Sequence, residues 1–298
     1  MRKTSTVATE PSVANPSKAV GMSPALRRFC RHKLAIFGAL SIVLMVLACV
    51  AGPSLLAYTD TYIDIRHRLM PPLSGAHILG TDPLGRDVLA RLLMAGRISL
   101  SIGFFAMSIS MVIGVGVGLI AGYFGGFVGN ALMRLVDGVL CFPSIFLLLA
   151  ISAIISPSVP SIVFLIAITT WMEVARVVEA QIRSLKTRDF ALAALSMGSS
   201  HSRIMFRELL PNAAAPIVVA ATLNVAYAML AESYISFLGF GIQPPTPSWG
   251  NMLDNAQTYL TSAPWLAIVP GLAITLAVTS FNFVGDGLRD ALDPRNET

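Results

Sequence analysis

The sequence predicts an all-α integral membrane protein with six transmembrane helices, and three observations carry that prediction. The chain is 55% hydrophobic and only 12% charged, with a mean hydropathy of +0.72, whereas soluble domains are about a quarter charged. Several apolar runs exceed the roughly 20 residues that a helix needs to cross a hydrocarbon core. None alternates in the manner of an outer-membrane barrel strand. Spans are expected at 34–57, 98–122, 128–155, 159–180, 213–239 and 264–288.

Residues 1–26 are rich in Ser, Ala, Pro and Thr without an apolar period, so a disordered cytoplasmic segment is expected there. The first span follows Arg27, Arg28, Arg31 and Lys33. It is too long for the apolar region of a signal peptide and no A-x-A-like site follows it, so it reads as a retained anchor. Residues 27–97 join this span to a long external loop, 98–288 hold the core of the membrane domain, and 289–298 form a tail.

Orientation follows from Lys and Arg near span ends. Arg2, Lys3, Lys18 and the basic residues at 27–33 precede the first span; Arg183, Lys186, Arg188, Arg203 and Arg207 lie between the fourth and fifth. Both segments are expected in the cytoplasm, and an even number of spans returns the tail, with Arg289 and Arg295, to the same side. The first external loop opposes this with Arg66, Arg68, Arg86, Arg91 and Arg97, but long loops cross with weak regard to charge.

The net charge of +5 and pI near 9.4 do not point to nucleic acid, because the basic residues sit in short segments beside apolar runs. Cys30, Cys49 and Cys141 show no metal-ligand or CxxC spacing and read as packing residues, so no metal site is expected. No HExxH, no GxSxG and no G-x-x-x-x-G-K-[ST] phosphate loop occurs. An enzyme, or a chain that itself hydrolyses ATP, is therefore not expected.

Within the second span, "IGVGVGLIAGYFGG" (113–126) repeats small residues. These allow close helix packing in lipid or equally an adaptable, kinked helix. Arg134 with Asp137, and Glu173 with Arg176, stand three apart and can each pair along one helix face.

The segment "DFALAALSMGSSHSRIMFRELLPN" (189–212) interrupts two apolar runs. Phe190, Ala193, Ala194 and Met197 fall at helical spacing and form one apolar stripe. Gly198 can end that helix in a left-handed conformation, and Ser199 and Ser200 can cap a second helix beginning near His201. The second helix runs to Pro211, which suits a helix start better than a helix middle.

This pattern resembles the EAA loop of ABC-importer permeases, in which Glu-Ala-Ala is followed by three residues, Gly, nine residues, Ile, one residue and Leu-Pro. Ala193, Ala194, Gly198, Leu210 and Pro211 match; Leu192 replaces the Glu and Glu208 the Ile. "HILGTDPLGRDVLARLLMAGRISL" (77–100) is similar to the signature of the second permease subunit of dipeptide, oligopeptide, glutathione and nickel importers. "SFLGFGIQPPTPSWGNML" (236–253) and "FNFVGDGLRDALDPR" (281–295) match the same group. The resemblance covers almost everything from Arg27 to Arg295.

It implies a type I ABC-importer permease fold in the cytoplasmic (inner) membrane of a bacterium, in contact with membrane lipid. It further implies a second homologous permease subunit, two ATPase subunits or domains that hold ATP and Mg, and an extracytoplasmic binding protein; no cofactor is expected on this chain. Phe190, Ala191, Leu192, Ala193, Ala194, Met197, Gly198, Arg203 and Pro211 would couple to the ATPase, where an interfacial helix on lipid headgroups is the competing reading. Glu232, Asn224 and Asn282 are candidates for the translocation path, since an ionisable group deep in a span is costly; hydrogen bonding between helices competes. Asp82, Arg86, Asp87 and Arg91 would belong to an external docking loop built as a solvated, self-complementary fold, with tight turns at Gly80 and Gly85. Peptides are the expected cargo, with glutathione or nickel complexes as alternatives and a non-transport scaffold as the reading that leaves the 189–212 segment unexplained.

Overall fold

The computed structural model describes residues 24–75 and 77–292. The expected disordered N-terminal segment lies outside the described residues up to position 23, as does the tail from 293 onward; Pro24–Phe29 opens the fold as helix α1. α2 (Lys33–Leu55) follows, its first turn capped by His32, whose Nδ1 accepts from the Ala35 amide at 3.1 Å. After a loop comes α3 (Val88–Phe124), then α4 (Gly126–Leu140), α5 (Ser144–Ser152) and α6 (Val159–Leu185). A short α7 (Asp189–Ser196), α8 (His201–Arg203) and α9 (Leu210–Asn212) lead into α10 (Ala214–Phe237), and α11 (Trp249–Ala256) precedes α12 (Trp265–Leu292).

Among the described residues five helices, α2, α3, α6, α10 and α12, are long and apolar enough to cross a membrane, and the pair α4 and α5 makes a sixth span if counted together. That pair is bent by 76°, so the continuous third span expected from hydropathy is a broken one. Pro143 accounts for the break: it has no amide proton to give and disfavours helical backbone at Phe142 before it, and its own ψ of 122° is not helical.

The second span also differs from expectation. It begins at Val88 rather than 98, because its first turns mix Arg91 and Arg97 with buried Val88, Ala90 and Ala95, a composition that a hydropathy window rejects although the helix continues. At 37 residues α3 is about 55 Å long, well beyond a core of roughly 30 Å. Its N-terminal turns therefore project toward the loops at 56–87 and 238–264, here termed the loop end; the 186–213 segment marks the opposite, hairpin end.

Between the two readings of the glycine run, close packing is what occurs. α3 is unbroken, and Gly114, Gly118 and Gly122 face α6; a Cβ on Gly118 would stand 2.5 Å from the Ala175 carbonyl oxygen. Dispersion at such short range replaces the hydrophobic drive that lipid removes, and Thr170 Oγ1 donates to Ser110 Oγ across the seam at 3.0 Å. The charged pairs are arranged otherwise than along single helix faces. Arg176 of α6 bonds to Asp137 of α4, because the two helices lie side by side; Arg134 and Glu173 form no ion pair among the described residues. Leu40, Leu44, Leu47 and Val50 of α2 are more than half exposed, as suits a helix whose solvent is lipid.

Candidate functional site

At the hairpin end the chain turns from α6 into α7 through Lys186, whose Nζ donates to the Tyr123 carbonyl at the end of α3 and lies 5.5 Å from the centre of the Tyr123 ring. Ala191 and Ala194 are the inward face of α7, buried with Leu119, Val178, Ile182, Ile204 and Leu209 against the ends of α3 and α6. The expected stripe is therefore split: Ala194 turns inward, while Phe190, Ala193 and Met197 lie on the exposed side. Leu192, Leu195 and Met197 are 49%, 52% and 79% exposed, an outward apolar surface on a helix held from behind.

The turn itself is as read from the sequence. Gly198 has φ +76°, its amide donates to Leu195 O at 3.0 Å and the Ser199 amide to Ala194 O at 3.1 Å, the two bonds of a Schellman cap. Ser200 caps α8, with Oγ accepting from the Arg203 amide at 3.4 Å. Residues Ile204–Leu209 then widen into a π-turn, so that Pro211 is reached without a regular helix in front of it; Pro211 and Arg203 are exposed. His201 Nδ1 and Tyr123 Oη are 2.6 Å apart, which ties the start of α8 to α3.

At the loop end the charges turn inward rather than into solvent. Asp82, Asp87 and Arg91 are 7%, 5% and 4% exposed, so the expectation of a solvated cluster is corrected. Asp82 Oδ1 accepts from the Leu84 and Arg86 amides at 2.8 and 2.9 Å, and Oδ2 from Arg86 Nε at 2.6 Å. Asp87 caps α3 through Ala90 at 2.7 Å and meets His77 Nδ1 at 2.8 Å. Buried charges persist only where so satisfied. Farther out, hydrogen bonding from His67 and then from the Arg66 amide holds the Asp64 carboxyl below its usual range. The exposed surface here is Tyr62, Ile63, Ile65, Leu73 and Ile78.

Inside the bundle, Glu232 is fully buried; Ser99 Oγ of α3 donates to it at 3.0 Å and Ser236 Oγ at 2.7 Å. Ser99 Oγ in turn accepts from the Trp249 amide at 3.2 Å, so one carboxylate joins α10, α3 and α11. Asn224 is buried with its Oδ1 unpartnered, and Asn282 is half-buried on α12. The fold does not gather these three: Asn224 lies eight residues before Glu232, about 12 Å along the helix. Sequence reasoning missed Tyr123, Lys186, Ser99 and Ser236. Only Ser236 was within reach, four residues after Glu232 on the same helix face.

With this geometry in place, similarity to known proteins is decisive. Residues 114–298, over half of the chain, match the family described as binding-protein-dependent transport system inner membrane component. The chain belongs to this family. Residues 22–72 also match the N-terminal transmembrane domain of oligopeptide transport permease C. The chain is 40% identical to a dipeptide transport system permease protein of Alkalihalophilus pseudofirmus, over 91% of this chain and 89% of that one. It is 38% identical to a glutathione transport system permease protein of Pectobacterium atrosepticum, over 99% and 98%. A crystal structure of an amino acid ABC transporter with histidines shares the fold at 16% identity and a TM-score of 0.52, over 67% of this chain and 92% of that chain. This permease-family chain is thus an inner-membrane transport component and not itself a catalyst.

Proposed function

We propose that the chain is one half of the membrane passage of an ATP-driven peptide importer. It would pair with a second homologous permease and work with two ATPase subunits or domains that carry ATP and Mg. In this reading α4 and α5 make a sixth span, both termini and the hairpin end face the cytoplasm, and the loop end receives the binding protein. Phe190, Leu192 and Leu195 of α7, with Met197 just after it, would meet the ATPase, with Ala191 and Ala194 behind them and Gly198, Arg203 and Pro211 in the hairpin that follows. The observation that carries the reading is that outward apolar face on a helix locked to α3 and α6. A rigid element biased by nucleotide can move the bundle only if little motion is lost at its base. Glu232 is better placed to join helices than to meet cargo.

Dipeptides and oligopeptides are the favoured cargo, supported by the dipeptide permease relative. The glutathione permease relative supports a tripeptide thiol as the second reading. Native mass spectrometry of the cognate binding protein, followed by uptake of labelled dipeptide, glutathione and nickel complex into proteoliposomes, separates them. ATP-dependent dipeptide uptake is the expected result; uptake of glutathione or nickel alone replaces the cargo, and uptake of none overturns the reading.

A further inference from the structure

The sequence sets Arg134 and Asp137 on α4 beside Glu173 and Arg176 on α6, and of these charges only Asp137 and Arg176 are bonded to each other. α4 leaves the hairpin end whereas α6 runs toward it, so Arg134 lies on the hairpin side of that pair and Glu173 on its loop side, about 9 Å apart along the bundle. They cannot answer each other. Arg134 is long enough to turn back toward the hairpin end, but Glu173 is not: Val174 packs against Gly114 of α3, which puts Glu173 about 12 Å inside the apolar stretch at 98–122. There Glu173 is exposed, and its carboxylate has no hydrogen bond or ion pair among the described residues.

The break between α4 and α5 stands at the same level, about one turn beyond Asp137 as Glu173 is about one turn from Arg176. Residues 141–143 are exposed there, and the carbonyls of Leu140, Cys141 and Phe142 accept no backbone hydrogen bond among the described residues. Lipid offers no partner to a carboxylate or to bare backbone, and both persist at that depth only inside protein or beside water. A side chain of a second permease could answer the carboxylate but not also the bare carbonyls on the next helix. Water answers all of them. We propose that this face of α4 and α6 lines the water-filled passage and that Glu173 receives the ammonium group of a peptide cargo. The proposal rests on the reading of the chain as half of a peptide passage. A carboxylate with unused lone pairs holds an ammonium through charge-assisted hydrogen bonds.

The test reads ATP-dependent uptake of labelled dialanine by the importer reconstituted with its binding protein. Glu173→Gln is expected to slow uptake about tenfold, the worth of one hydrogen bond to a charged group, while Glu173→Asp keeps most of it and both variants assemble with the second permease as the wild type does. In wild-type importer held in nanodiscs, a charged methanethiosulfonate should modify Cys141, read by peptide mapping. Dialanine should slow that modification more than N-acetyl-dialanine, which has no ammonium, and this arm decides if the Glu173 variants do not fold. Equal uptake by wild type and Glu173→Gln, a Cys141 that is never modified, or equal slowing by the two peptides overturns the proposal. A Glu173→Gln defect confined to assembly also overturns it and gives Glu173 to the second permease. Wild-type importer that takes up no dialanine overturns the reading of a peptide passage, and the proposal with it.

Discussion

The two ends of the bundle use their side chains in opposite ways. At the loop end Asp82, Asp87 and Arg91 turn inward and are each less than a tenth exposed, whereas at the hairpin end small Ala191 and Ala194 turn inward and leave Leu192, Leu195 and Met197 outside. Charges that fold inward make a fixed shape, because each must find a partner or raise the energy of the whole. Apolar side chains left outside a clamped helix make a surface that a partner can cover. What a residue does here follows from the direction it faces more than from its type.

Two glycines put that contrast to its largest test, since Gly85 and Gly198 share the same φ of +76°. A Cβ on Gly85 would collide with the Asp64 backbone, whereas one on Gly198 meets nothing within 4 Å. Left-handed strain alone costs about 1–2 kcal/mol, so Gly198→Ala should lose about that much. Gly85→Ala adds overpacking and should lose about 3–5 kcal/mol. Thermal melting of both purified variants in detergent reads the difference; equal losses would mean that the loop end is as open as the hairpin.

Glu232 extends the comparison into the spans. Glu232→Ala leaves Ser99 and Ser236 facing a void and should cost about 2–4 kcal/mol in the same melting assay. Glu232→Gln keeps the volume and an acceptor, and should cost about 1 kcal/mol without altering cargo preference. A changed preference with unchanged melting would return Glu232 to the translocation path.

Much of this was legible in the chain. Long apolar runs mark spans reliably because lipid forces every backbone group into a helix, and the Gly198 turn follows from glycine's freedom at positive φ. The Asp137–Arg176 pair was not, since it joins residues 39 positions apart on two helices. Nor was the inward turn of Asp82 and Arg91, because a charge pattern does not say which neighbours will cover it. The break at Pro143 was visible in the residue but masked by the apolar run on both sides. Arg91 and Arg97 hid the first turns of α3 in the same way, by lowering hydropathy where the helix persists.

On the hairpin, neighbouring positions should separate stability from coupling. Ala194→Leu overfills the space against α3 and α6 and should cost about 1–3 kcal/mol. Leu195→Glu, on the open side, should change melting by no more than about 0.5 kcal/mol while abolishing most substrate-stimulated ATP hydrolysis in the reconstituted importer. Retained stimulation in Leu195→Glu would remove α7 from the ATPase contact.

The smallest effect concerns how firmly the hairpin is held. Tyr123 is 6% exposed, its ring lies 5.6 Å from that of His201, and its hydroxyl is 2.6 Å from His201 Nδ1. Tyr123→Phe keeps the ring and removes the bond, a loss of about 1 kcal/mol. If the bond secures α8, the loss falls on local opening rather than on the whole fold, and amide exchange around 198–205 should quicken by about fivefold while melting barely moves. Unchanged exchange would mean that the apolar contacts of Ile204, Met205 and Leu209, with the Lys186 bond to the Tyr123 backbone carbonyl, hold the hairpin without the hydroxyl. The side-chain pair of Tyr123 and His201 would then add little to the grip of the hairpin end, which would depend mainly on packing.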